Sequence, residues 1–212
     1  MGGKLRVGGG AAGVLLLTGA VLLLASCRRQ DPTGPGAEPD RYPVESRFLQ
    51  SAEGWTAVGD GVLYYSPTGG NPGSTGYIFI IDQTLGDNFY FNAPSSFRGN
   101  MSGAYGRLLT FDLVWSETSL SNYKDGDDVV LRGGGHTLVA MLPEVPATTW
   151  TSYAIPLSVA GGWVHQGTDQ PATSSEIQAV LASVQEFRIR GEFRRGPEQG
   201  GLDNVRFGAL PD

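Results

Sequence analysis

The sequence predicts an all-β domain, either a sandwich or a barrel, with one short helix packed against it. From Phe48 onward, short apolar runs are separated by Gly, Pro, Asn and Asp, which are the residues that favour turns. The 212 residues also include 32 glycines, roughly twice the ordinary share of about 7%. Because these glycines follow no Gly-X-Y repeat, they indicate frequent turns and bulges rather than a collagen helix.

Two segments show most clearly the two-residue period of a half-buried strand. Residues 109–115 hold Leu, Phe, Leu and Trp at the odd positions, with Thr, Asp and Val between them. Residues 150–157 alternate in the same way, and Pro156 places the end of that strand at a sheet edge or a bulge. Further strands are predicted at residues 55–58, 62–66, 77–81, 89–91, 129–131, 137–141, 186–190 and 204–207. So many short strands at close spacing are typical of a sandwich or a barrel.

Residues 174–184 break this period and predict the one amphipathic helix. Thr173 and Glu176 have the spacing of a capping box, in which each side chain serves the backbone N–H of the other residue. The apolar residues that follow recur at helical spacing: Ile177, Val180, Leu181 and Val184.

Charge and cysteine content exclude several classes of protein. The net charge is −6 and only two residues are lysines, so the chain lacks the basic stripe that a nucleic-acid partner requires. A single cysteine excludes an internal disulfide and a cysteine-rich zinc or iron–sulfur site. No internal repeat or second change in composition is present, so we expect one domain over residues 46–212.

The N-terminal segment has the pattern of an export signal. Lys4 and Arg6 precede an almost wholly apolar run over residues 14–24, and Leu-Ala-Ser then leads into Cys27. This segment resembles the signal peptide and lipobox of bacterial lipoproteins. The resemblance implies that residues 1–26 are removed and that Cys27 is acylated, so that its acyl chains anchor the protein in a membrane. Arg28 favours the outer membrane in a cell with two membranes, by analogy with that family.

Two other interpretations of this segment remain open: Cys27 as an ordinary thiol, and the apolar run as an uncleaved anchor. Beyond the lipidated cysteine, residues 27–45 contain four prolines and almost no large apolar side chains. Such a composition cannot bury a core, so we expect a disordered tether between the lipid and the domain.

Several blocks of the domain resemble the laminin B domain, also called laminin domain IV. The blocks are FNAPSSFRGNMSGAYGRLLTFDL (91–113), DVVLRGGGHTLV (128–139), TTWTSYAIPL (148–157), VLASVQEFRIRGEF (180–193) and LDNVRF (202–207). The resemblance implies a jelly-roll β-sandwich related to carbohydrate-binding modules, in an extracellular setting and without catalytic activity. The cysteine-rich repeats that flank this domain in animal laminins are absent from the sequence, so functions that depend on them do not transfer.

The jelly-roll resemblance also implies a candidate structural Ca²⁺ site at Asp203, with Asn71 and Gly73 in a glycine-rich loop that can supply oxygen ligands. The alternative is that Asp203 caps a turn. The acidic run from Lys124 to Asp128 lacks the register of an EF-hand, and we expect a solvated loop there. His136 and His165 have no His or Cys partner at metal spacing, so we expect surface or loop histidines.

Tryptophan faces can stack on sugar rings, so the four tryptophans are the candidate ligand-binding residues. We expect core packing for Trp115 and Trp150, and an exposed, ligand-binding ring for Trp163 beside two glycines. The sequence thus predicts a non-catalytic surface module that binds or adheres to a glycan or a surface protein. One alternative is a structural envelope lipoprotein without a small ligand. A more remote one is a glycoside-active enzyme, because its carboxylate pair is recognised only in space.

Overall fold

A computed structural model describes residues 1–3, 8–9, 41–72, 76–82, 88–116, 126–194 and 198–211. The chain divides into two units, Met1–Thr33 and Gly34–Asp212, and every element below lies in the second. Cys27, most of the predicted signal peptide and tether, Gly73 and Lys124 lie outside the described residues. Among the helices described, none is long and apolar enough to cross a membrane.

Two antiparallel sheets form the domain. Sheet A contains β1 (Val44–Ser46), β3 (Gly61–Ser66), β4 (Tyr77–Asp82), β6 (Leu108–Trp115), β9 (Thr151–Pro156) and β12 (Gln199–Ala209). Its strands lie in the order β3-β4-β12-β6-β9, and β1 also pairs with β12. Sheet B contains β2 (Thr56–Val58), β5 (Tyr90–Asn92), β7 (Val129–Gly133), β8 (His136–Ala140), β10 (Val164–His165) and β11 (Val184–Arg190). Its order is β10-β8-β7-β11-β5-β2. The predicted all-β sandwich is confirmed.

The core lies between the two sheets, and it is rich in aromatic rings. The odd positions of β6 are buried as the two-residue period predicts. From sheet B, Phe187 packs against Trp55, Phe97 and Phe207, with ring centroids 5.4–5.9 Å apart. Such edge-on and tilted contacts bury large apolar areas from both sheets in one cluster.

The helix α1 (Ser174–Ala182) begins as predicted and ends two residues early. Thr173 accepts a hydrogen bond from the Glu176 N–H, and the Glu176 carboxylate accepts one from the Thr173 N–H, so the capping box is present. Val184 is instead the first residue of β11. Its N–H and C=O both pair with Gly99, at 2.8 Å each, and this strand-like pairing ends the helix.

The largest differences from the predicted strands are at the end of the chain. The sequence predicts the last strand from residue 204, but β12 begins at Gln199. The Asp–Asn pair lies within the strand as an irregularity in its pairing with β6, and Asn204 has φ 49°. Asn tolerates this left-handed conformation better than most residues. Pro156 ends β9 at an edge of sheet A, as predicted.

Candidate functional site

Four aromatic side chains form a continuous strip on sheet A. Tyr64 in β3 is the register partner of Phe79 in β4, and their rings stack with centroids 5.5 Å apart. Phe79 and Tyr77 follow each other on one side of β4, with centroids 5.6 Å apart. Trp150, just before β9, meets the Tyr77 ring edge-on at 5.4 Å. We call Tyr64, Phe79, Tyr77 and Trp150 the aromatic strip.

The aromatic strip lies on the outer face of sheet A, away from the core. The isoleucines that alternate with Tyr77 and Phe79 along β4 are fully buried, so the two aromatic rings point to the opposite face. Tyr64 is 43% exposed, and the other three rings are half-buried. Val62 and Ile81, which pair across the same two strands, are exposed beside them. This contiguous apolar surface is the kind that marks a binding site.

Glycine in the neighbouring strand leaves space for these rings. Gly201 in β12 lies between Phe79 of β4 and Val114 of β6. A Cβ atom there would lie 2.6 Å from Cγ1 of Val114 and 3.2 Å from Cε2 of Tyr77. Because Gly201 has no side chain, the Tyr77 ring can lie against β12 and reach towards Trp150.

Trp115 lies in the core, as predicted, whereas the same prediction for Trp150 is wrong. Trp115 is buried between the sheets, with Phe193 edge-on at 5.9 Å. Trp150 is only half-buried, and its Nε1 donates a hydrogen bond to the Gly69 carbonyl at 3.2 Å. This bond fixes the ring over the loop that follows β3.

The prediction that Trp163 is an exposed ring is wrong. It is 2% exposed, and its Nε1 donates a hydrogen bond to the Pro156 carbonyl at 2.8 Å. Gly162 adopts the left-handed conformation, with φ 67°, directly after the short 3-10 helix Val159–Gly161. The glycines therefore reverse the chain and direct the tryptophan inward, so it offers no face to a ligand.

Asp203 anchors the loop after β3 onto sheet A. It is fully buried, and its two carboxylate oxygens accept hydrogen bonds from the backbone N–H of Asn71 at 2.9 Å and of Asn204 at 2.7 Å. Asp112, its register partner in β6, accepts bonds from the side-chain amides of the same two asparagines, at 2.6 and 2.8 Å. The predicted pair Asp203 and Asn71 is thus brought together, but Asn71 presents N–H donors, which cannot bind a cation.

Oxygen atoms do converge on the two glycines beside this carboxylate. A Cβ on Gly70 would lie 2.5 Å from both Oδ2 of Asp203 and the Gly76 carbonyl. A Cβ on Gly76 would lie 2.3 Å from the Phe48 carbonyl and 2.8 Å from that of Ser66. One buried carboxylate and several carbonyls are the donors that Ca²⁺ prefers, so the residues present fit that ion.

The acidic loop before β7 is only partly solvated. Asp127 accepts a hydrogen bond from the Gln166 side chain at 2.6 Å. Asp128 was expected in solvent but is buried, where it pairs with buried Arg190 at 2.7 Å and accepts the Leu142 N–H at 2.6 Å. Burial raises the pKa of Asp128, and Arg190 offsets part of that rise. Its role is therefore structural.

Sequence reasoning missed three members of the aromatic strip, although a signal was available. The segment from residue 77 to 81 reads Tyr-Ile-Phe-Ile-Ile, and it is apolar at both odd and even positions. A strand with one solvent-facing side normally alternates apolar and polar residues. Apolar residues on both faces indicate that the second face is covered or binds something.

Comparison with known proteins identifies the family of this domain. The family model of the laminin B domain (domain IV) matches residues 90–209. The chain belongs to the laminin B family. Human laminin subunit gamma-2 is 26% identical over 194 residues, which is 85% of this chain and 14% of the laminin. This chain therefore spans only a small part of that relative.

Solved structures similar to this laminin B domain extend the comparison to sugar-binding folds. The L4b domain of human laminin alpha-2 matches with a TM-score of 0.53 and 18% identity, covering 57% of this chain and 70% of that one. A family 11 carbohydrate-binding module from Clostridium thermocellum, in complex with a β-1,3-1,4-mixed-linked tetrasaccharide, matches with a TM-score of 0.51 and 13% identity. It covers 81% of this chain and 97% of the module. At such identities the likeness concerns the fold.

Proposed function

We propose that this laminin B domain is a non-catalytic binding module that recognises a glycan at the cell surface. The observation that carries the proposal is the aromatic strip. Its four rings lie in contact on one outer face, and Tyr64 at its end is well exposed. Pyranose rings pack their apolar faces on such aromatic surfaces, and polar groups nearby then fix their orientation.

Polar side chains lie beside the strip in the same register. Ser66 is the partner of Tyr77, and Gln199 is the partner of Ile81. They place hydrogen-bonding groups at two points along the apolar surface. A strip of this kind suits a linear chain of sugars better than a single ring, because successive rings can contact successive aromatics.

Binding is tested with the full chain carrying Cys27→Ser, purified in detergent so that lipid does not contribute. The chain is screened on a glycan array that includes mixed-linked β-glucans, and positive glycans are titrated by calorimetry. Tyr64→Ala and Trp150→Ala are each expected to weaken binding by about tenfold, because one stacked ring contributes about 1–1.5 kcal/mol.

Met141→Ala is the matched control, since it removes an exposed apolar side chain just after β8, in the other sheet. It is expected to leave glycan affinity unchanged. An array without any binding would instead favour the alternative of a structural envelope lipoprotein. Equal losses in all three variants would mean that the strip has no specific role.

The same proposal places the module on a membrane through Cys27. The lipobox-like segment and the proline-rich residues after it support a lipid anchor followed by a tether. The laminin relatives support an exported location, because laminins act outside the cell. The acyl chains would hold the domain near the membrane while the tether lets it reach a ligand.

We also propose that a structural Ca²⁺ is held by Asp203 together with the carbonyls of Phe48, Ser66 and Gly76. The ion would tie the chain before β2 to the loop after β3 and to β12. Thermal unfolding is measured in Ca²⁺ and in EDTA, for the parent and for Asp203→Asn. A higher midpoint in Ca²⁺ for the parent alone supports the site. Equal midpoints in the two solutions would leave Asp203 as a loop anchor only.

A further inference from the structure

The two histidines of the sequence lie next to each other in space. His136 is the first residue of β8, and His165 is the last residue of β10. In the antiparallel pairing of these strands, His165 lies opposite Leu138, which is two residues after His136. Both imidazoles are therefore on the same face of sheet B as diagonal neighbours. Their ring centroids are 5.6 Å apart.

Glu176, in the first turn of α1, completes a group of three. Its Oε2 accepts hydrogen bonds from the Thr173 N–H at 2.8 Å and from the Thr173 hydroxyl at 2.7 Å. These bonds fix the carboxylate so that Oε1 lies 3.3 Å from Nε2 of His165. The carboxylate is therefore held in a fixed orientation towards His165.

The three side chains have the geometry of a metal site. One ligand atom from each of them lies within 4.8 Å of the others, and all three residues are half-buried. In a tetrahedral zinc site, bonds of about 2.0–2.2 Å separate neighbouring ligand atoms by ~3.4 Å. The His165–Glu176 distance already has this value, and a ligand atom of His136 lies within 4.8 Å of both.

We propose that His136, His165 and Glu176 bind one Zn²⁺ ion, with water in the fourth position. Two imidazoles and one carboxylate are a ligand set that zinc takes in proteins, whereas Ca²⁺ prefers oxygen ligands alone. Many structural zinc sites use cysteine thiolates as ligands, whereas this proposed site uses two imidazoles and one carboxylate. Bound zinc would join β8, β10 and the N-terminus of α1, and so hold the helix on sheet B. The Thr173 hydrogen bonds to Glu176 would orient this ligand from outside the coordination sphere.

The experiment is a zinc titration of the full chain carrying Cys27→Ser, in detergent, so that the one thiol cannot bind zinc. Competition with a fluorescent zinc chelator measures affinity and stoichiometry, and Ca²⁺ and Mg²⁺ serve as control ions. We expect one zinc per chain and a higher midpoint of thermal unfolding with zinc. His136→Gln and His165→Gln should each weaken zinc binding at least about tenfold.

Glu176→Gln is the sharpest variant because glutamine also completes a capping box. It should keep the helix and the midpoint without zinc, yet weaken zinc binding to a similar extent. Asp169→Asn, which changes an exposed carboxylate in the loop after β10, should have no effect. The proposal is overturned if the parent chain binds no zinc. It is equally overturned if a variant with both histidines replaced keeps the parent affinity.

Discussion

A group of acidic side chains at one end of the sandwich predicts an unusual pH dependence of stability. Glu192 and Glu198 are only 7% and 4% exposed. Burial, with smaller contributions from the nearby carboxylates of Asp60 and Asp82, raises the pKa of Glu192 to about 7. Burial, together with the charges of Glu192, Asp82 and Asp60, raises the pKa of Glu198 to about 8. Within the described residues, neither carboxylate oxygen of Glu198 has a hydrogen-bond partner. Arg194 offsets only part of the cost of burying this charge.

The direction of the effect follows from these pKa values. An unfolded glutamate releases its proton near its ordinary pKa of about 4.3, whereas the folded chain keeps it until pH 7–8. Between these limits the folded state binds more protons than the unfolded state, so stability falls as pH rises. Each unit of pKa shift corresponds to about 1.4 kcal/mol. With folded pKa values of about 7 and about 8 against about 4.3 in the unfolded chain, ionisation of Glu192 and of Glu198 lowers the stability by about 4 and about 5 kcal/mol, respectively, by pH 9.

Urea unfolding at pH 5.5 and pH 9 measures this loss. Glu198→Gln should raise the free energy of unfolding by about 5 kcal/mol at pH 9 and by only about 1–2 kcal/mol at pH 5.5, since glutamine stays neutral. Glu53→Gln, at an exposed turn, is the matched control and should leave the pH dependence unchanged. A parent stability that is flat from pH 5.5 to 9, or an equal decline in Glu198→Gln, would refute the reasoning.

Three further predictions concern the buried ion pair, a close backbone contact and the anchor. Asp128→Asn should lower the free energy of unfolding by about 3–5 kcal/mol in urea titrations, because it leaves buried Arg190 without its counter-charge. Gly133→Ala should cost about 1–3 kcal/mol in the same assay, since its Cβ would lie 2.4 Å from the Ser183 carbonyl. Cys27→Ser should move the chain from the membrane pellet to the soluble fraction, and continued pelleting would mean that lipid is not the anchor.

Most strands could be predicted because their alternation depends on local sequence. The apolar odd positions of β6 alternate with other residues within one segment, so that segment suffices to recognise the strand. Two strands were not predicted, because they depend on neighbouring strands more than on their own sequence. Val44–Ser46 and Val164–His165 are too short to show a period, and they exist only because β12 and β8 supply their hydrogen bonds.

The candidate sites were harder to predict, because they depend on register. Trp163 was expected to be exposed from its glycine neighbours, but the turn at Gly162 directs the ring to the Pro156 carbonyl. His136 and His165 had no partner at metal spacing, since 28 intervening residues separate them in the chain. The pairing of β8 with β10 brings the two imidazoles next to each other in space.

The sequence by itself determined the class of fold, the helix start and the low positive charge that argues against nucleic acid. These properties arise from composition, from two-residue and helical periods and from the capping box, all of which act over a few neighbouring residues. Only the tertiary structure decided which aromatic rings face outward and which polar groups meet. The strip from Tyr64 to Trp150 and the group around Glu176 each combine residues far apart in the chain. Strand register brings those residues together, and register is fixed by the packing of the whole sandwich.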